Sequence, residues 1–373
     1  MKIFLSGLQS LNVDLLTNYF AIKLIEWYQH HHRALPWRET KDPYKIWLSE
    51  IILQQTRVAQ GLPYYQRFIE NYPTIHDLAA ASETSILRMW QGLGYYTRAR
   101  NLHACARTIV TQFQGKFPNN YKALLSLPGI GVYTAAAIAS IAFKEPIAVI
   151  DGNVYRVLAR IFGIETAINS TKGKHIFNQL AQTLISKTAP DIYNQAIMEF
   201  GAIQCTPLKP LCNTCIFKID CSAFLANKQH QLPVKEAKVK IKQRFFHYLC
   251  IQLDDDQLLM KSRKPGDIWT GLYDFYLVEE SECKEFEELE DELVQLIKSH
   301  QLYIEKVPTV YKHILTHRVL YASFFKIIAT RAFIADAKIL SKDSLTDTFS
   351  IDATKSLPKP KLICNFLEEY LYI

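Results

Sequence analysis

The spacing of the apolar residues changes once along the chain, and this change most constrains the fold. From Leu15 to about Phe224 apolar residues recur at helical spacing, with Pro, Gly, Asn and Asp clusters between the segments. Residues 226–242 are polar and basic and predict a linker. Beyond them, short runs rich in aromatic and β-branched residues predict strands. The sequence therefore predicts an all-α region followed by a separate α+β module.

Local signals refine both parts. Asp42 and Pro43 predict the start of a helix, and the helical stretch that follows is expected to close at Tyr72 and Pro73. An acidic amphipathic helix is predicted for residues 285–300. Strands are predicted over residues 245–253, 257–262, 272–279, 304–315 and 318–328.

Charge and hydropathy bear on the partner and the compartment. Residues 1–230 carry a net charge of +9 and residues 231–373 a net charge of −2. A basic half favours an anionic partner such as nucleic acid, although a basic soluble enzyme would look the same. No run of about 20 uncharged apolar residues exists, and the N-terminus lacks a signal-peptide pattern. We expect a cytoplasmic, nucleoid-associated bacterial protein without a membrane span, and cysteines that serve as ligands or core thiols.

Two glycines stand before a helix rich in small residues, in the segment LPGIGVYTA at 127–135. Gly129 and Gly131 permit a tight turn and a close backbone approach, and the start of the next helix can hold a phosphate. This pattern is typical of a helix-hairpin-helix that binds the DNA backbone. An ordinary interhelical turn is the alternative.

Two carboxylates are candidate catalytic groups. Asp151 follows an apolar run and opens a helix about twenty residues beyond the hairpin, so it is either a helix cap or a group that faces a sugar. Glu50 lies in a helix that is apolar nearly all round, flanked by Trp47 and Ile51. A desolvated Glu can have a raised pKa and act as a general acid. A surface Glu on a polar stripe is the alternative.

Four cysteines lie within seventeen residues, at Cys205, Cys212, Cys215 and Cys221. Four thiolates suit either a tetrahedral zinc or a 4Fe–4S cluster. Structural zinc usually uses paired C-x2-C knuckles, and only one such pair is present. The uneven spacing therefore favours the 4Fe–4S cluster.

Taken together and in order, six segments resemble those of adenine DNA glycosylases of the MutY type, within the helix-hairpin-helix superfamily that includes endonuclease III. They are LPWR (35–38), SEIILQQTRV (49–58), GLGYYTRARNL (92–102), LPGIGVYTA (127–135), VIDGNVYRVLAR (149–160) and MEFGAIQCTPLKPLCNTC (198–215). The resemblance implies excision of adenine mispaired with 8-oxoguanine or guanine in double-stranded DNA by a monomer. It also implies a multi-domain fold, all-α helix-hairpin-helix glycosylase followed by an α+β Nudix-like module.

The resemblance assigns roles residue by residue. Glu50 protonates adenine and then handles the water, and Asp151 stabilises the sugar cation or attacks it. The remaining residues assist these two carboxylates (Tyr133, Asn153), form the adenine pocket (Trp37, Arg38, Gln195, Glu199), or probe the opposite strand (Gln55, Tyr95). Endonuclease III has a Schiff-base lysine where this chain has Tyr133, which implies a monofunctional glycosylase.

The C-terminal module resembles the MutT-like domain that reads 8-oxoguanine. Leu315, Thr316 and His317 match its inspection loop, with Leu315 in place of the usual Phe. The residue order of active Nudix hydrolases is missing, so we expect recognition without pyrophosphatase activity. The expected boundaries are 1–225 for the catalytic region, 226–242 for the linker and 243–373 for the module. Within the first, a six-helix barrel spans about 38–147, and the N-terminal helix with about 148–225 forms the cluster domain.

Two other functions are compatible with parts of this pattern. One is an endonuclease III-like bifunctional glycosylase and lyase that acts on oxidised pyrimidines; Tyr133 and the extra module argue against it. The other is a non-catalytic DNA-binding or redox-sensing iron–sulfur protein. Glu50 and Asp151, each in its matching motif, argue against that.

Overall fold

The computed structural model describes residues 13–236, 241–315, 317–336 and 345–372, with side chains from residue 17 onward. The described chain divides into two compact units. The first unit contains residues 13–80 and 101–236. The second contains residues 81–100 together with the described residues from 241 onward. Both the predicted linker and the predicted domain boundaries stay predictions.

The first unit is all helical among its described residues. Its helices are α1 (Val13–His31), α2 (Pro43–Leu53), α3 (Val58–Asn71), α4 (Ile75–Ala80), α7 (Tyr121–Leu124), α8 (Val132–Phe143), α9 (Gly152–Phe162), α10 (Thr171–Leu184), α11 (Pro190–Glu199) and α12 (Ser222–Leu225). Helix α5 (Glu83–Met89) belongs to the second unit, and α6 (Thr97–Phe113) begins in the second unit and continues in the first. Short helical turns cover Pro36–Arg38, Phe200–Gln204 and Cys212–Thr214.

The predicted start of α2 is confirmed, because the Asp42 side chain accepts a hydrogen bond from the Tyr44 amide at 2.9 Å and Pro43 occupies the first turn. The helical stretch that follows is not continuous. It breaks between Leu53 and Val58, where Gln55 adopts a positive φ of 54°. This break separates α2 from α3. A short segment with non-helical backbone therefore lies directly after the helix that carries Glu50.

The hairpin forms as the glycines indicate, between α7 and α8. Gly129 has φ 72°, and a Cβ there would lie 2.5 Å from Cβ of Asn101, so glycine is required on both counts. Gly131 instead has an extended backbone with φ −89°, and a Cβ there would meet no protein atom within 4 Å. Gly129 therefore makes the tight turn, whereas Gly131 leaves room for a close approach to the backbone.

The second unit is built on an eight-stranded sheet. Its strands are β1 (Lys242–Leu253), β2 (Gln257–Ser262), β3 (Tyr273–Asp274), β4 (Tyr276–Glu280), β5 (Tyr303–Lys306), β6 (Tyr311–Ile314), β7 (Arg318–Ala329) and β8 (Thr346–Ser350). The long strands β1 and β7 pair in parallel, with Lys242 opposite Arg318 and Leu253 opposite Ala329. The other pairs, β1 with β2 and β4, β2 with β3 and β8, and β7 with β5 and β6, are antiparallel.

Side chains alternate across β1 and build a core on each face of the sheet. Leu249 and Ile251 pack on the face covered by helix α13 (Glu292–Ser299). Tyr248 and Cys250 pack on the opposite face, which is covered by α16 (Lys361–Tyr370). Two shorter helices, α14 (Arg331–Asp336) and α15 (Ile351–Ser356), complete the described part of the unit. The α+β prediction is thus confirmed as a sheet with a helix on each face.

The acidic helix was predicted too long. Residues 286–288 form a single 3-10 turn, and α13 begins only at Glu292. The reason is local, because the Glu285 side chain caps the short turn and Asp291 accepts a hydrogen bond from the Leu293 amide, which starts a new helix. No described helix is both long enough and apolar enough to cross a membrane.

Candidate active site

One cavity of about 1210 Å³ in the first unit collects most of the predicted site residues. Ligand pockets in proteins usually have volumes of about 300–1,000 Å³, so this space is large enough for a nucleoside. Eleven predicted residues line it: Trp37, Arg38, Glu50, Gln55, Gly129, Gly131, Tyr133, Asp151, Asn153, Gln195 and Glu199. The structure brings them together from five separate parts of the sequence.

Glu50 reaches the cavity from α2, whose other faces are buried. Trp47, Ile51 and Ile52 pack into the core around it, so the carboxyl group has little water. Burial raises the pKa of Glu50 to about 7, against an ordinary value of 4.5; the nearby Asp151 raises it further and a hydrogen bond from Tyr133 lowers it. A carboxylic acid with this pKa can hold a proton at neutral pH and give it to a bound group.

Tyr133 lies in the first turn of α8 and points its hydroxyl at Glu50. Burial, together with the charges of Glu50 and Asp151, holds the pKa of this phenol well above 10. The hydroxyl oxygen also lies 3.1 Å from Sδ of Met198. A carboxylate accepts a hydrogen bond more strongly than a thioether does. The Tyr133 hydroxyl therefore remains protonated and donates to Glu50.

Asp151 caps α9 and also lines the cavity, so its role as a helix cap does not exclude the other alternative. Its Oδ1 accepts from the Val154 amide at 2.8 Å, and its Oδ2 accepts from Asn153 Nδ2 at 2.7 Å. Burial raises the pKa of this carboxyl group, and the two hydrogen bonds oppose the rise. Asn153 is thereby placed to orient the carboxylate.

Arg156 is a residue of the site whose role the sequence did not reveal. Its Nη2 donates to Oδ1 of Asn153 at 2.8 Å and to the Gly201 carbonyl at 2.6 Å, and its Nε donates to the Cys205 carbonyl at 2.7 Å. One guanidinium thus connects the partner of Asp151 with the start of the cysteine run. An arginine on the buried side of an amphipathic helix was the available signal.

Glu199 is held by two arginines. The side chain is only 1% exposed, and Arg33 and Arg38 each contact both of its oxygens, at distances of 2.6–3.0 Å. Burial alone would raise the pKa of Glu199, but the hydrogen bonds from Arg33 and Arg38 lower it to about 2. Sequence reasoning named Arg38 and Glu199 and missed Arg33, which lies at the end of a run of histidines that gives no apolar pattern.

The other two residues of the predicted adenine pocket are buried at the edge of the cavity. Trp37 packs edge-on against Tyr65, with ring centroids 5.1 Å apart. The Gln195 Oε1 accepts a hydrogen bond from the Tyr28 hydroxyl at 3.1 Å, and its Nε2 donates to the Asp191 carbonyl at 3.3 Å. Both side chains are therefore fixed by neighbours before any ligand binds.

The four cysteines of the run lie close to one another. Burial, with smaller contributions from the thiols of Cys205, Cys221 and Cys212, raises the pKa of Cys215 to about 12. Arg160 Nη1 lies 3.4 Å from Sγ of Cys205, and the Phe217 amide donates to Sγ of Cys215 at 3.4 Å. N–H donors aimed at sulfur are what thiolate ligands of a cluster need. Among the described residues, however, no three His, Cys, Asp or Glu side chains are already arranged around a metal position.

The remaining predicted residues lie in the second unit. Tyr95 is 48% exposed and has a positive φ of 52°. The turn between β6 and β7 holds Leu315, whose amide donates to the Arg318 carbonyl at 2.8 Å and whose side chain packs on the core. His317 is exposed, and its carbonyl accepts from the Lys242 amide. Thr316 lies outside the described residues.

Comparison with known proteins assigns the chain to a family. Residues 48–184 match the family described as HhH-GPD superfamily base excision DNA repair protein, and residues 247–369 match the NUDIX domain. The adenine DNA glycosylase of Buchnera aphidicola subsp. Baizongia pistaciae is 36% identical over 321 residues, which covers 84% of this chain and 88% of that protein. The chain belongs to the adenine DNA glycosylase family.

Two further comparisons show how much of the chain is similar to other known proteins. The adenine DNA glycosylase of Mus musculus is 38% identical over 265 residues, but the chain spans only half the length of that relative. The solved structure of a thermostable thymine-DNA glycosylase is 32% identical, with a TM-score of 0.53; it covers 56% of this chain and 97% of its own. The predicted fold class, an all-α helix-hairpin-helix region before a Nudix-like domain, is confirmed for this member of the adenine DNA glycosylase family.

Proposed function

We propose that this chain removes adenine from duplex DNA by hydrolysing the bond between adenine N9 and the sugar C1′. The observation that carries the proposal is the pair of carboxyl groups, Glu50 and Asp151, in one cavity with pKa values raised by burial. Such pairs of carboxyl groups break glycosidic bonds. One group supplies a proton to the leaving group, and the other stabilises the positive charge that develops on the sugar.

Glu50 acts as the acid. Adenine is a poor leaving group as an anion, and a proton at N7 lets it leave as a neutral base. A Glu with a pKa of about 7 carries that proton on a sizeable fraction of molecules at neutral pH. Once the bond is broken, the Glu50 carboxylate takes a proton from the water that adds to C1′. The acid is thereby restored, and proton and water balance.

Asp151 stabilises the cation that forms on the sugar. Its two hydrogen bonds, from the Val154 amide and from Asn153, fix the orientation of the carboxylate and favour its charged form. A fixed negative charge in a water-poor site stabilises a developing cation without reorganisation.

The carboxylate of Glu199, bound by two arginines, fixes one side of the proposed adenine pocket. Glu199 is fully ionised at neutral pH and holds Arg38 in one place. Trp37 and Gln195 are fixed by their own neighbours. We propose that these residues contact the flipped base and position its N7 toward Glu50.

The hairpin binds the DNA backbone. Open space beside Gly131 and the 62% exposed Val132 leave the start of α8 accessible to a phosphate. Base flipping costs a few kcal/mol, which a phosphate grip and an inserted ring can offset. Tyr95 is the proposed wedge, the residue whose ring enters the base stack. Gln55, in the break after α2, is proposed to probe the strand opposite the adenine.

The partner base is the finer part of the substrate. We propose that the chain acts as a monomer on adenine opposite 8-oxoguanine or guanine, and that Leu315, Thr316 and His317 inspect the oxidised base. Exposure of His317 at the turn between β6 and β7 supports this assignment. Leu315 packs on the core at the position where the resemblance implies an aromatic ring. We therefore propose that Thr316 and His317 make the contact with the oxidised base.

The cysteine run is proposed to bind a 4Fe–4S cluster. Cys205, Cys212, Cys215 and Cys221 would be its ligands, because the four thiols are neighbours and N–H groups point at two of the sulfurs. The cluster, when bound, ties the loop together and does no bond breaking. Iron and sulfide in the purified protein, determined chemically, test this assignment; one zinc without iron contradicts it.

The absence of an amine in the cavity favours a monofunctional enzyme. Among the described residues that line it, none is a lysine, and Tyr133 carries a phenol whose pKa is far above neutral. Strand cleavage by β-elimination needs a Schiff base with an amine. We therefore expect base removal without efficient strand cleavage.

One experiment tests the reaction and the acid together. A duplex with a single adenine opposite 8-oxoguanine is incubated with excess enzyme, and strand breaks are counted with and without hot alkali. Breaks that require alkali indicate a monofunctional glycosylase, whereas breaks without alkali contradict that assignment. Glu50→Gln keeps the shape of the side chain and removes the proton, so the single-turnover rate should fall by about 10²–10⁴-fold while DNA binding is retained.

A matched control isolates the cavity. Glu39→Gln changes the same functional group at an exposed position that does not line the cavity, and should leave the rate unchanged. A Glu50→Gln rate close to that of the unaltered chain would overturn the role of Glu50 as proton donor.

A further inference from the structure

The segment that carries Tyr95 has a conformation that needs support. Tyr95 has φ 52° and lies just beyond Gly92, φ 98°, and Gly94, φ 73°. A residue with a Cβ rarely adopts this region, and such a conformation persists only where the surroundings hold it. A Cβ at Gly94 would meet no atom within 4 Å, so the tip of the loop gains no support from packing there. The Gly94 carbonyl accepts hydrogen bonds from Trp90 Nε1 at 3.0 Å and from Arg98 Nη2 at 3.3 Å. Residues on either side of the tip therefore contribute to its support.

Two flanking residues bind the same residue of the C-terminal chain. The Tyr96 hydroxyl donates to the Lys359 carbonyl at 3.2 Å, and the Lys359 amide donates to Oε1 of Gln91 at 3.3 Å. All three belong to the second unit. Tyr96 is buried and Lys359 is only 2% exposed, so these bonds are shielded from water. Gln91 and Tyr96 thus bracket the loop tip and hold both of its ends against one residue, Lys359.

The turn that receives them is itself rigid. Lys359 stands between two prolines, Pro358 and Pro360, which fix φ on either side. The Tyr273 amide donates to the Pro358 carbonyl at 2.8 Å, which ties the turn to β3. The Lys359 ammonium donates inward to the Leu357 carbonyl at 3.0 Å and to the Thr354 carbonyl. The turn is therefore a preformed support for the loop.

Further contacts in the second unit strengthen the attachment. Gln91 Nε2 donates to Sγ of Cys364, on α16, at 2.9 Å. Arg100 donates to the Thr270 carbonyl, and a Cβ at Gly271 would lie 3.4 Å from Leu87. The two hydrogen bonds and the close approach of Leu87 to Gly271 join residues 87–100 to the turn before β3 and to α16.

We propose that Gln91 and Tyr96 are positioning residues through which the Leu357–Pro360 turn holds Tyr95 in the conformation that opens the DNA stack. The C-terminal module then has a second task besides reading the partner base, since it prepares the wedge for base flipping. This inference rests on the proposed function, because it takes Tyr95 to be the wedge.

The test uses the full chain with the double substitution Gln91→Met and Tyr96→Phe, which keeps size and removes both bonds to Lys359. Flipping is followed with 2-aminopurine placed opposite 8-oxoguanine, whose fluorescence rises when the base leaves the stack and does not depend on excision. Each lost hydrogen bond should weaken the support by a few-fold, so we expect the flipped fraction and the single-turnover rate to fall together by about fivefold or more.

The matched control is Tyr372→Phe. It removes a hydroxyl that bonds Oγ1 of Thr354 at 2.8 Å, in the same unit and next to the same turn. Among the described residues, the Tyr372 hydroxyl makes no hydrogen bond to residues 87–100. This variant should flip and excise as the unaltered chain does. Equal losses in the control and the double variant would mean that general destabilisation of the module is responsible, and would overturn the proposal.

The decisive comparison is made in the Tyr95→Ala background. If Gln91 and Tyr96 act only through Tyr95, the double substitution adds no further loss of flipping there, whereas independent effects multiply. A multiplied loss overturns the proposal. If Tyr95→Ala alone flips the base normally, both the wedge and this inference fail. If Tyr95→Ala loses flipping but the double variant does not, this inference alone fails and the proposed function stands.

Discussion

The two walls of the cavity contain the same chemical group in opposite states. The reactive wall consists of Glu50, Tyr133 and Asp151, and the arginine wall consists of Arg33, Arg38 and Glu199. Burial raises the pKa of Glu50 to about 7, whereas the two arginines lower that of Glu199 to about 2. Both carboxyl groups line one cavity, so their surroundings and not their residue type decide which one can carry a proton.

The difference lies in how each charge is paired. Glu199 has ion pairs with two guanidinium groups, both at 2.6 Å. Glu50 receives a hydrogen bond from the neutral phenol of Tyr133, and Arg38 acts on it only through its electrostatic field. A buried carboxylate with full partners stays ionised and structural, and one with a single weak partner keeps its proton for chemistry.

Breaking the arginine wall should have the largest effect on stability. Glu199→Gln leaves two guanidinium groups beside an uncharged buried side chain. Removing one partner of such a cluster costs about 3–5 kcal/mol of unfolding free energy. Urea unfolding at pH 7 measures this. Glu165→Gln, which breaks the exposed pair with Lys228, is the control and should change little.

Breaking the reactive wall should affect the rate and leave the fold intact. Asp151→Asn keeps a side chain that can cap α9, and removes the charge that faces the sugar. The single-turnover rate should fall by about 10²–10³-fold with little change in melting temperature. A rate within tenfold of the unaltered chain would mean that Asp151 is only the cap of its helix.

Neutralising Glu50 should stabilise the folded protein and, at the same time, abolish its activity. The folded chain holds this proton up to about pH 7, and a Glu with its ordinary pKa releases it near 4.5. The ionised, buried carboxylate therefore costs stability at pH values above 7, and the cost disappears as pH falls to 4.5. Glu50→Gln should raise the unfolding free energy at pH 8 by up to about 3 kcal/mol. The gain should be lost at pH 4.5; an equal gain at both pH values would contradict the raised pKa.

The pH dependence of excision follows from the same group. If Glu50 gives its proton to adenine, the single-turnover rate should be flat below pH 7 and fall by up to tenfold per pH unit above it. Glu199 contributes no change in this range, because its pKa is about 2. A flat profile between pH 6 and 9 would remove Glu50 from the proton transfer.

The sequence predicted the reactive wall better than the arginine wall. Glu50 and Asp151 stood out because each departs from an apolar pattern, and a departure can be seen without a structure. Arg33 could not be predicted, since its importance comes from a contact with Glu199, 166 positions away. Arg156 was visible only as a cation on a helix.

The fold shows the same limit. The long strands β1 and β7 were predicted because their apolar runs are long. Strand β8 and helices α14 to α16 were missed, because they are short or follow from packing on the sheet. The turn at Lys359 is a further case, since two prolines in the sequence mark a turn but do not say which residues bind it.

The smallest expected effect tests how finely the reactive wall is tuned. The Tyr133 hydroxyl donates to Glu50 and favours its ionised form, which lowers a pKa that burial raises. Tyr133→Phe should therefore raise the pKa of Glu50 above 7 and move the falling limb of the pH–rate profile to higher pH, by up to about one unit, the value of one such hydrogen bond. At pH 6 the rate should change by no more than a few-fold. Single-turnover rates from pH 5 to 9 give the shift, and Tyr155→Phe, on a residue that does not line the cavity, is the control. A limb that moves to lower pH would mean that the phenol favours the protonated acid, and that Arg38 alone holds the carboxylate in its charged form.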